Sequence, residues 1–411
     1  MNTKKYPSEP KKQLIDIEHA DISNDITTCT PNYSMEVMNR LRNQLNLAKS
    51  KLDKYYNGRD KRNWLYVSGY FDLYKSMRNK ISQTYNAQLV SNAWLKYYEI
   101  YSYWNMFADG NTTAFFNAEL PGAALCAYNH YVNTMLDARS DAHSDTPSSA
   151  THKWYASSLV DFNDGTTTAF EDTYGLVRRN PDNWLMSGTN NGDATSVSNL
   201  RDFQSRIGST VNFYSHDAGM DVSGDFNAQE STNAKLHLGC AIAGFLTMAP
   251  GATFVAKQYT CMETLTWNLI IIYATLFDKF YMFKPVTSRP YNSEIYLIGF
   301  GYKGISESIC NKLLYKLEHF DMSPLLHLDC INIKYLSAYN SIYAFAKSTF
   351  TTQIEYLDES IYLYEKYKNN QRALIDLCTR VGTIAQNEWF NKHLIKKIDR
   401  DRWLPADKNR I

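Results

Sequence analysis

The strongest constraint on the fold of this chain is a repeated switch between strand-like and helix-like hydrophobic patterns. Six short apolar or alternating runs are typical of strands, at residues 114–119, 153–160, 211–215, 253–258, 279–284 and 294–300. Helical stretches separate most of them, which favours an α/β fold with a mostly parallel sheet. The last two runs are joined by PVTSRPYNS alone. This linker is too short for a crossover helix, so we expect the last strand to be antiparallel.

Helical patterns flank this central region on both sides. We divide the chain into an N-terminal arm and helical extension (1–85), a core (86–303) and a C-terminal helical extension (304–411). Residues 1–33 are polar and contain three prolines, which predicts a loose arm. With 411 residues and 44% apolar side chains, the chain is long enough to build a sizeable core.

Charge is unevenly distributed, although the net charge of the whole chain is only +1. Residues 1–85 carry 15 basic and 9 acidic side chains, whereas residues 137–232 carry 6 and 14. The total therefore indicates neither a nucleic-acid binder nor a membrane binder. The local pattern is compatible with a basic approach surface beside a pocket for a cationic ligand, and equally with ordinary solvated helix faces.

Cysteine spacing and hydropathy exclude several other classes. No two of the seven cysteines are closer than 20 residues, which excludes CxxC zinc sites and predicts reduced thiols. The nine histidines show no ligand spacing, so we expect no metal. The N-terminus has no signal-peptide core, and the 13-residue apolar run at 265–277 is too short to span a membrane. We expect a buried helix there, and a cytoplasmic protein.

One GxGxxG pattern is present, at Gly299, Gly301 and Gly304. Such a pattern after a strand is typical of dinucleotide-binding loops, and Asp329 lies 25 residues beyond Gly304. No further strand–helix units follow it, because residues 331–400 have helical periodicity. We therefore favour a glycine-rich end of the last strand over a nicotinamide site.

Three polar side chains lie where a sheet of this kind binds ligands. Asp217 closely follows the third strand, Lys257 lies at the end of the fourth, and Glu294 opens the last one. Ligands bind at the carboxyl ends of parallel strands, and an antiparallel last strand brings its start to that edge. A lysine at the end of an apolar strand needs an acidic partner. The three side chains therefore form either a catalytic group or a buried ion network.

A tight turn, Glu119 to Ala123, follows the first strand and precedes a helix. The small residues of this turn let the backbone approach a ligand, and the helix N-terminus offers a positive end. Taken alone, a Pro-Gly turn does not indicate a function.

Several segments of the central region together resemble the FtsJ-like ribose 2′-O-methyltransferases. They are ELPGAALCAYNHY (119–131), KWYASSL (153–159), NNGDATS (190–196), HDAGMDVSGDFNAQE (216–230), GATFVAKQYT (251–260) and FKPVTSRPYNSEIYLI (283–298). They occur in unbroken order, and the last is the most specific. Within the family the resemblance is to cap-2-type enzymes and to the proteins of large cytoplasmic DNA viruses of the African swine fever virus type. It implies a Rossmann-like methyltransferase fold with a seven-stranded sheet.

The resemblance also implies site residues. The family's Lys-Asp-Lys-Glu tetrad falls on Lys96, Asp217, Lys257 and Glu294. Lys257 would take or steer the ribose 2′-hydroxyl proton, with its pKa lowered toward neutrality by burial and by Lys96. S-adenosylmethionine binding falls on Glu119, Pro121, Gly122, Ala123 and Asp193. We expect RNA phosphates to bind at lysines and arginines of residues 35–85 and bases to stack on aromatic side chains, with Arg289 and Asn292 as RNA ligands next to the reactive centre. No metal is required. Many relatives have Pro-Gly-Gly-Phe where this chain has Pro121-Gly122-Ala123-Ala124. Ala124 thus replaces the aromatic ring of those relatives.

The resemblance therefore implies S-adenosylmethionine-dependent 2′-O-methylation of cap-proximal nucleotides in viral mRNA. Capped RNA would be the substrate, and other capping enzymes or the transcription machinery are candidate partners, in the host cytoplasm or the virion. Two alternatives stay open, a catalytically silent RNA-binding scaffold of a capping complex and a ribosomal RNA 2′-O-methyltransferase. The intact tetrad argues against the first, and the long helical extensions argue against the second.

Overall fold

The computed structural model describes residues 9–17, 21–27, 35–59, 61–107, 110–135, 151–159, 171–220 and 227–407. The Ser/Asp/Thr-rich segment 137–151 predicts a surface loop, and the polar stretch 161–199 is predicted to line a site. Residues 136–150 and 160–170 lie outside the described set, and with them most of the first segment and part of the second.

A seven-stranded sheet forms the centre of the molecule. Its strands are β1 (Lys11–Leu14), β2 (Thr112–Asn117), β3 (His152–Ala156), β4 (Val211–His216), β5 (Met248–Tyr259), β6 (Phe277–Lys284) and β7 (Glu294–Tyr302). Their spatial order is β1-β6-β7-β5-β4-β2-β3. Five strands point the same way, whereas β7 and β1 run in the opposite direction. The predicted α/β fold and the antiparallel last strand are therefore confirmed.

Helices cover both faces of this sheet and also build the regions outside it. In chain order they are α1 (Glu36–Ser50), α2 (Asp53–Asn57), α3 (Lys61–Ser68), α4 (Met77–Tyr85), α5 (Asn92–Tyr103), α6 (Ala123–Met135), α7 (Leu176–Arg179), α8 (Val197–Ile207), α9 (Gln229–Thr247), α10 (Thr264–Thr275), α11 (Glu307–Glu318), α12 (Leu328–Ile333), α13 (Leu336–Lys366) and α14 (Gln371–Lys392). A short 3-10 turn at Arg400–Arg402 follows. The regions outside the sheet are thus mainly helical, as their periodicity predicts.

The prediction of a loose N-terminal arm is wrong for residues 11–14. This segment pairs antiparallel with β6, with Lys11 opposite Lys284. The Lys11 ammonium also donates to the Ser348 carbonyl at 2.7 Å and to the Thr352 hydroxyl at 2.6 Å. These partners lie hundreds of residues away in the chain, so the local sequence carries no signal for the strand.

The sheet separates two large apolar layers. One face is covered by α9, α10 and α13, and the other by α5, α6 and α14. Helix α10 is buried from Leu265 to Thr275, as expected for the run at 265–277. Within the described ranges, no helix is long and apolar enough to cross a membrane. The six cysteines described there are free thiols. Gly299 and Gly301 lie inside β7, which confirms the preferred interpretation of the GxGxxG pattern.

Helix α9 passes so close to the chain at Ala194 that only glycine fits at position 239. A Cβ atom on Gly239 would lie 1.9 Å from the Ala194 carbonyl oxygen. Ala194 follows Asp193, so this contact fixes the position of a loop that carries a predicted ligand residue.

We expect Gly239→Ala to destabilise the protein by about 1–3 kcal/mol, although alanine is the better helix former. The backbone of the 193–194 loop would have to move away from α9. Urea unfolding measures the change. Gly382→Ala in α14 is the matched control, since its nearest neighbouring atom would lie at 3.1 Å. An equal loss in both variants would contradict this account.

Candidate active site

The reversed direction of β7 brings the start of that strand next to the end of β5. Tyr259 lies opposite Glu294 in the ladder, and Lys257 lies opposite Tyr296. On the other side of β5, Ala256 pairs with His216 at the end of β4, directly before Asp217. The carboxyl ends of two parallel strands and the beginning of an antiparallel one therefore meet at one edge of the sheet.

Four ionisable side chains converge at this edge as two ion pairs. Lys96, from the first half of α5, donates to the Glu294 carboxylate. The Lys257 ammonium lies 3.2 Å from Asp217 Oδ1 and donates to the Asp217 carbonyl oxygen at 3.0 Å. The structure thus brings together all four residues of the predicted tetrad. Two positive and two negative charges balance in a buried position, where a single unpaired charge would be strongly unfavourable.

The prediction that the pKa of Lys257 is lowered toward neutrality is wrong. Burial by itself would lower the pKa of this ammonium group, but the negative charge of Asp217, followed by Tyr259 and Glu294, raises it well above the usual lysine value. At neutral pH Lys257 is therefore a charged ammonium group that donates hydrogen bonds. An ammonium can hold an oxygen atom through an N–H hydrogen bond, but it cannot accept a proton.

Glu294 is fixed in its ionised form. Burial would raise the pKa of this carboxyl group, but the charges of Lys96 and Lys257 outweigh it and lower the pKa to about 2. The Tyr296 hydroxyl also donates to Glu294 Oε1 at 2.7 Å. Glu294 is thus a permanent acceptor that orients Lys96.

The Glu119–Ala123 turn lies beside these ion pairs, at the end of β2. Glu119 Oε1 accepts a hydrogen bond from the Leu125 backbone N–H, in the first turn of α6, at 2.8 Å. Its Oε2 atom is buried and has no hydrogen-bond partner among the described residues. Burial, with the negative charge of Asp217 adding to it, raises the pKa of the carboxyl group well above its usual range. An unpaired buried carboxyl oxygen of this kind fits a positively charged ligand.

The other predicted ligand residues lie around this turn. Gly122 has a φ of +108° and directly precedes Ala123, the first residue of α6; the Leu120–Pro121 peptide bond before them is cis. Asp193 Oδ1 accepts from the Thr195 backbone N–H and hydroxyl, both at 2.8 Å. The Asp193 loop is held against the end of β3, since a Cβ on Gly192 would lie 1.8 Å from the Ser158 carbonyl oxygen.

Gly122 is required by the fold itself. A Cβ atom there would lie 2.2 Å from Leu176 Cδ1, on a backbone conformation that side chains rarely adopt. A bulky residue at this position would therefore disturb folding, so Gly122 substitutions do not isolate ligand binding.

Sequence reasoning missed two buried anchors of the loop at 285–293. Glu99, three residues after Lys96, accepts hydrogen bonds from the backbone N–H groups of Val286 (2.7 Å) and Thr287 (3.0 Å). It also accepts from the Trp389 indole of α14 at 3.3 Å. A glutamate in an otherwise mainly apolar helix, NAWLKYYEIYSY, is the signal that could have found it.

Lys284 is the second anchor. Its ammonium donates to the carbonyl oxygens of Asn292 (3.0 Å) and Glu294 (2.9 Å) and to Asn292 Oδ1 (3.1 Å). Burial lowers its pKa to about 7, since the attraction of Glu294 offsets burial only in part and Lys96 repels it. Lys284 ends an apolar strand, as Lys257 does, so the same reasoning could have identified it.

The two predicted RNA ligands lie on this anchored loop. Arg289 Nε donates to the Asp72 carboxylate at 3.0 Å, and 37% of the Arg289 side chain remains exposed. Asn292 Oδ1 is taken up by Lys284, by the Ser288 hydroxyl at 3.1 Å and by the Glu294 N–H at 3.3 Å. The side-chain oxygen of Asn292 thus accepts its hydrogen bonds within the loop. Among the described residues, no group of His, Cys, Asp and Glu side chains is arranged to hold a metal.

Comparison with known proteins agrees with this geometry. The family model for FtsJ-like methyltransferases matches residues 89–302. The "Probable methyltransferase EP424R" of African swine fever virus is 35% identical over 378 residues, which cover 88% of this chain and 84% of that protein.

A more distant relative is the "Cap-specific mRNA (nucleoside-2'-O-)-methyltransferase 2" of Danio rerio. It is 24% identical over 393 residues, which cover 92% of this chain and 50% of that protein. This chain therefore spans about half the length of that relative. From the family match over more than half of the chain, which includes six of the seven strands, and the 35% identity to the viral protein, we conclude that this chain belongs to the FtsJ-like methyltransferase family.

Proposed function

We propose that this chain is an S-adenosylmethionine-dependent RNA ribose 2′-O-methyltransferase that acts on cap-proximal nucleotides of viral mRNA. The observation that carries the proposal is the pair of buried ion pairs, Lys96–Glu294 and Lys257–Asp217, at the ligand edge of a methyltransferase-type sheet. A set of groups that holds a weakly nucleophilic hydroxyl in place is what this reaction needs.

Lys257 acts in this proposal as a positioning donor. Its ammonium donates a hydrogen bond to the ribose 2′-oxygen and leaves a lone pair of that oxygen free for attack. Asp217 and Glu294 keep the ammonium charged and oriented, as the raised pKa of Lys257 indicates. As the 2′-oxygen forms its third bond, to the methyl carbon, the carbon–sulfur bond breaks, and the hydroxyl proton becomes strongly acidic and leaves to solvent water. The hydroxyl therefore needs placement more than prior ionisation.

Glu119 and the backbone turn before α6 are the proposed holders of the methyl donor. S-adenosylmethionine, when bound, supplies an electrophilic methyl group on a sulfonium whose departure as a neutral thioether needs no metal. The Glu119 carboxyl oxygen that lacks a hydrogen-bond partner fits the positive charge of this ligand. Gly122, Ala123 and Asp193 line the same edge.

The cap-proximal substrate is the finer part of the proposal. It is supported by the cap-specific activity in the name of the Danio rerio relative, which aligns with 92% of this chain. A chain with this substrate works with capping enzymes or transcription machinery, in the host cytoplasm or the virion. A silent scaffold and a ribosomal RNA enzyme are the alternatives that the following experiment separates.

Transfer of a radiolabelled methyl group to capped RNA, uncapped RNA and ribosomal RNA fragments tests the proposal, followed by nuclease mapping of the product. We expect label on the ribose of a cap-proximal nucleotide. Label only in ribosomal RNA supports the second alternative. No transfer to any RNA by folded protein that binds S-adenosylmethionine supports the scaffold.

Replacing Lys257 tests the positioning role. We expect Lys257→Ala to lower kcat by two or more orders of magnitude, because the 2′-oxygen loses its donor. Lys257→Arg should not restore it, since the guanidinium fork has a different shape. S-adenosylmethionine affinity should change little in both variants.

The melting temperature separates this role from a structural one. Loss of a buried ammonium leaves Asp217 unpaired and can cost about 3–5 kcal/mol of stability. A variant that melts normally and cannot transfer methyl supports the role, whereas near-normal kcat in Lys257→Ala refutes it.

Replacing Glu119 tests the donor site. We expect Glu119→Gln to weaken S-adenosylmethionine binding by about 10- to 100-fold in calorimetry, the loss typical of a hydrogen bond to a charged group. The pKa of the Glu119 carboxyl is raised, and the cation binds its ionised form. Affinity of the unmodified protein should therefore rise with pH, and this slope should vanish in Glu119→Gln. Equal affinity and slope in both proteins would contradict the assignment.

A further inference from the structure

The loop at 285–293, which directly precedes Glu294, contacts a cluster of aromatic side chains outside the sheet. Tyr291, three residues before Glu294, packs against a separate hydrophobic cluster built by α2, α3 and the ends of α13 and α14. The centre of this cluster is Tyr55 stacked on Trp64 at 4.7 Å, with Tyr364 against both rings. The loop that delivers Glu294 to the tetrad is therefore joined directly to the N-terminal helices.

Part of this cluster faces solvent as large aromatic rings. Tyr56 is 41% exposed and Tyr66 is 56% exposed. Tyr66 packs edge-on against Tyr70 with ring centroids 5.7 Å apart, and the two hydroxyls lie 3.5 Å from each other. Tyr56 packs edge-on against Trp64, with ring centroids 6.5 Å apart, in the same cluster that Tyr291 contacts. We name Tyr56, Tyr66, Tyr70 and Tyr291 the aromatic ledge.

Positive charge accompanies these rings. Residues 51–80 carry eight basic and three acidic side chains. Arg62 lies one helical turn before Tyr66 on the same face of α3, and both side chains are exposed. At the other end of the ledge, the Arg289 guanidinium lies 6.0 Å from the Tyr291 ring centroid. Exposed rings alternating with cations are the recognition pattern of single-stranded nucleic acid, in which bases stack and phosphates pair with the cations.

We propose that the aromatic ledge binds the single-stranded RNA that continues beyond the nucleotide at the tetrad. Bases stack on Tyr291, Tyr56 and Tyr66, and Arg62 contacts a phosphate. The ledge belongs largely to the N-terminal helices, outside the methyltransferase sheet, so it sets affinity for longer RNA without taking part in the chemistry. This inference rests on the proposed function for the identity of the RNA.

The test compares a short capped RNA with a longer one that has the same 5′ end, using fluorescence anisotropy and methyl transfer. We expect Tyr56→Ala and Tyr66→Ala each to weaken binding of the longer RNA about tenfold, with kcat on the short RNA unchanged. Tyr66→Phe keeps the ring and should bind as the unmodified protein does. Arg62→Gln should reduce the slope of log affinity against log salt by about 0.7.

Tyr315→Ala is the matched control, because Tyr315 is a 48% exposed tyrosine on α11, outside the ledge, and its ring stacks on His319. Melting temperatures show that the variants are folded. Unchanged affinity for the longer RNA in both ledge variants would overturn the proposal, as would an equal loss in Tyr315→Ala. The proposal would also be overturned if the ledge variants kept their RNA affinity and lost only the binding of a protein partner.

Failure of the two proposals can be told apart. If the unmodified protein methylates RNA but binds the short and long substrates equally, the ledge proposal alone fails. If it binds the longer RNA through the ledge but transfers no methyl group to any RNA, the proposed activity alone fails.

Discussion

The edge of the sheet at which the two ion pairs lie, which we call the active edge, depends on the direction of β7, which lies between β5 and β6. Because β7 runs against its neighbours, its first residue, Glu294, lies opposite the last residue of β5 rather than at the far side of the sheet. In a fully parallel sheet the carboxylate would be about one strand length away from Lys257, some 20–30 Å for nine residues at 3.3 Å each. Strand direction thus decides that the two ion pairs can form at all.

The ion pairs in turn require a rigid loop between β6 and β7. Three buried or partly buried charged groups hold that loop, namely Glu99 from α5, Lys284 from β6 and Asp72 from the segment before α4. Trp389 of the last long helix donates to the same Glu99 carboxylate. The helical extensions are therefore part of the scaffold of the active edge, since each contributes a hydrogen bond to its supporting network.

The electrostatics of the edge differ from a simple general-base model. Burial alone would push Lys257 toward its neutral form, but two nearby carboxylates and a tyrosine outweigh that effect and keep it charged. The lysine whose pKa falls to about 7 is Lys284, which donates mainly to neutral acceptors and is repelled by Lys96. Burial by itself thus does not give the direction of a lysine pKa shift, because the charges that surround the group decide the sign.

The sequence by itself determined the α/β class, the antiparallel last strand and the meeting of Asp217, Lys257 and Glu294 at one edge of the sheet. Hydrophobic period reports which residues are buried, and a linker of nine residues between two strands leaves room for one direction only. Tertiary structure alone decided the strand at Lys11–Leu14, the buried Glu99 and Lys284 anchors and the charge state of Lys257. These features arise from partners far apart in the chain, and neither local pattern nor composition records which distant groups meet.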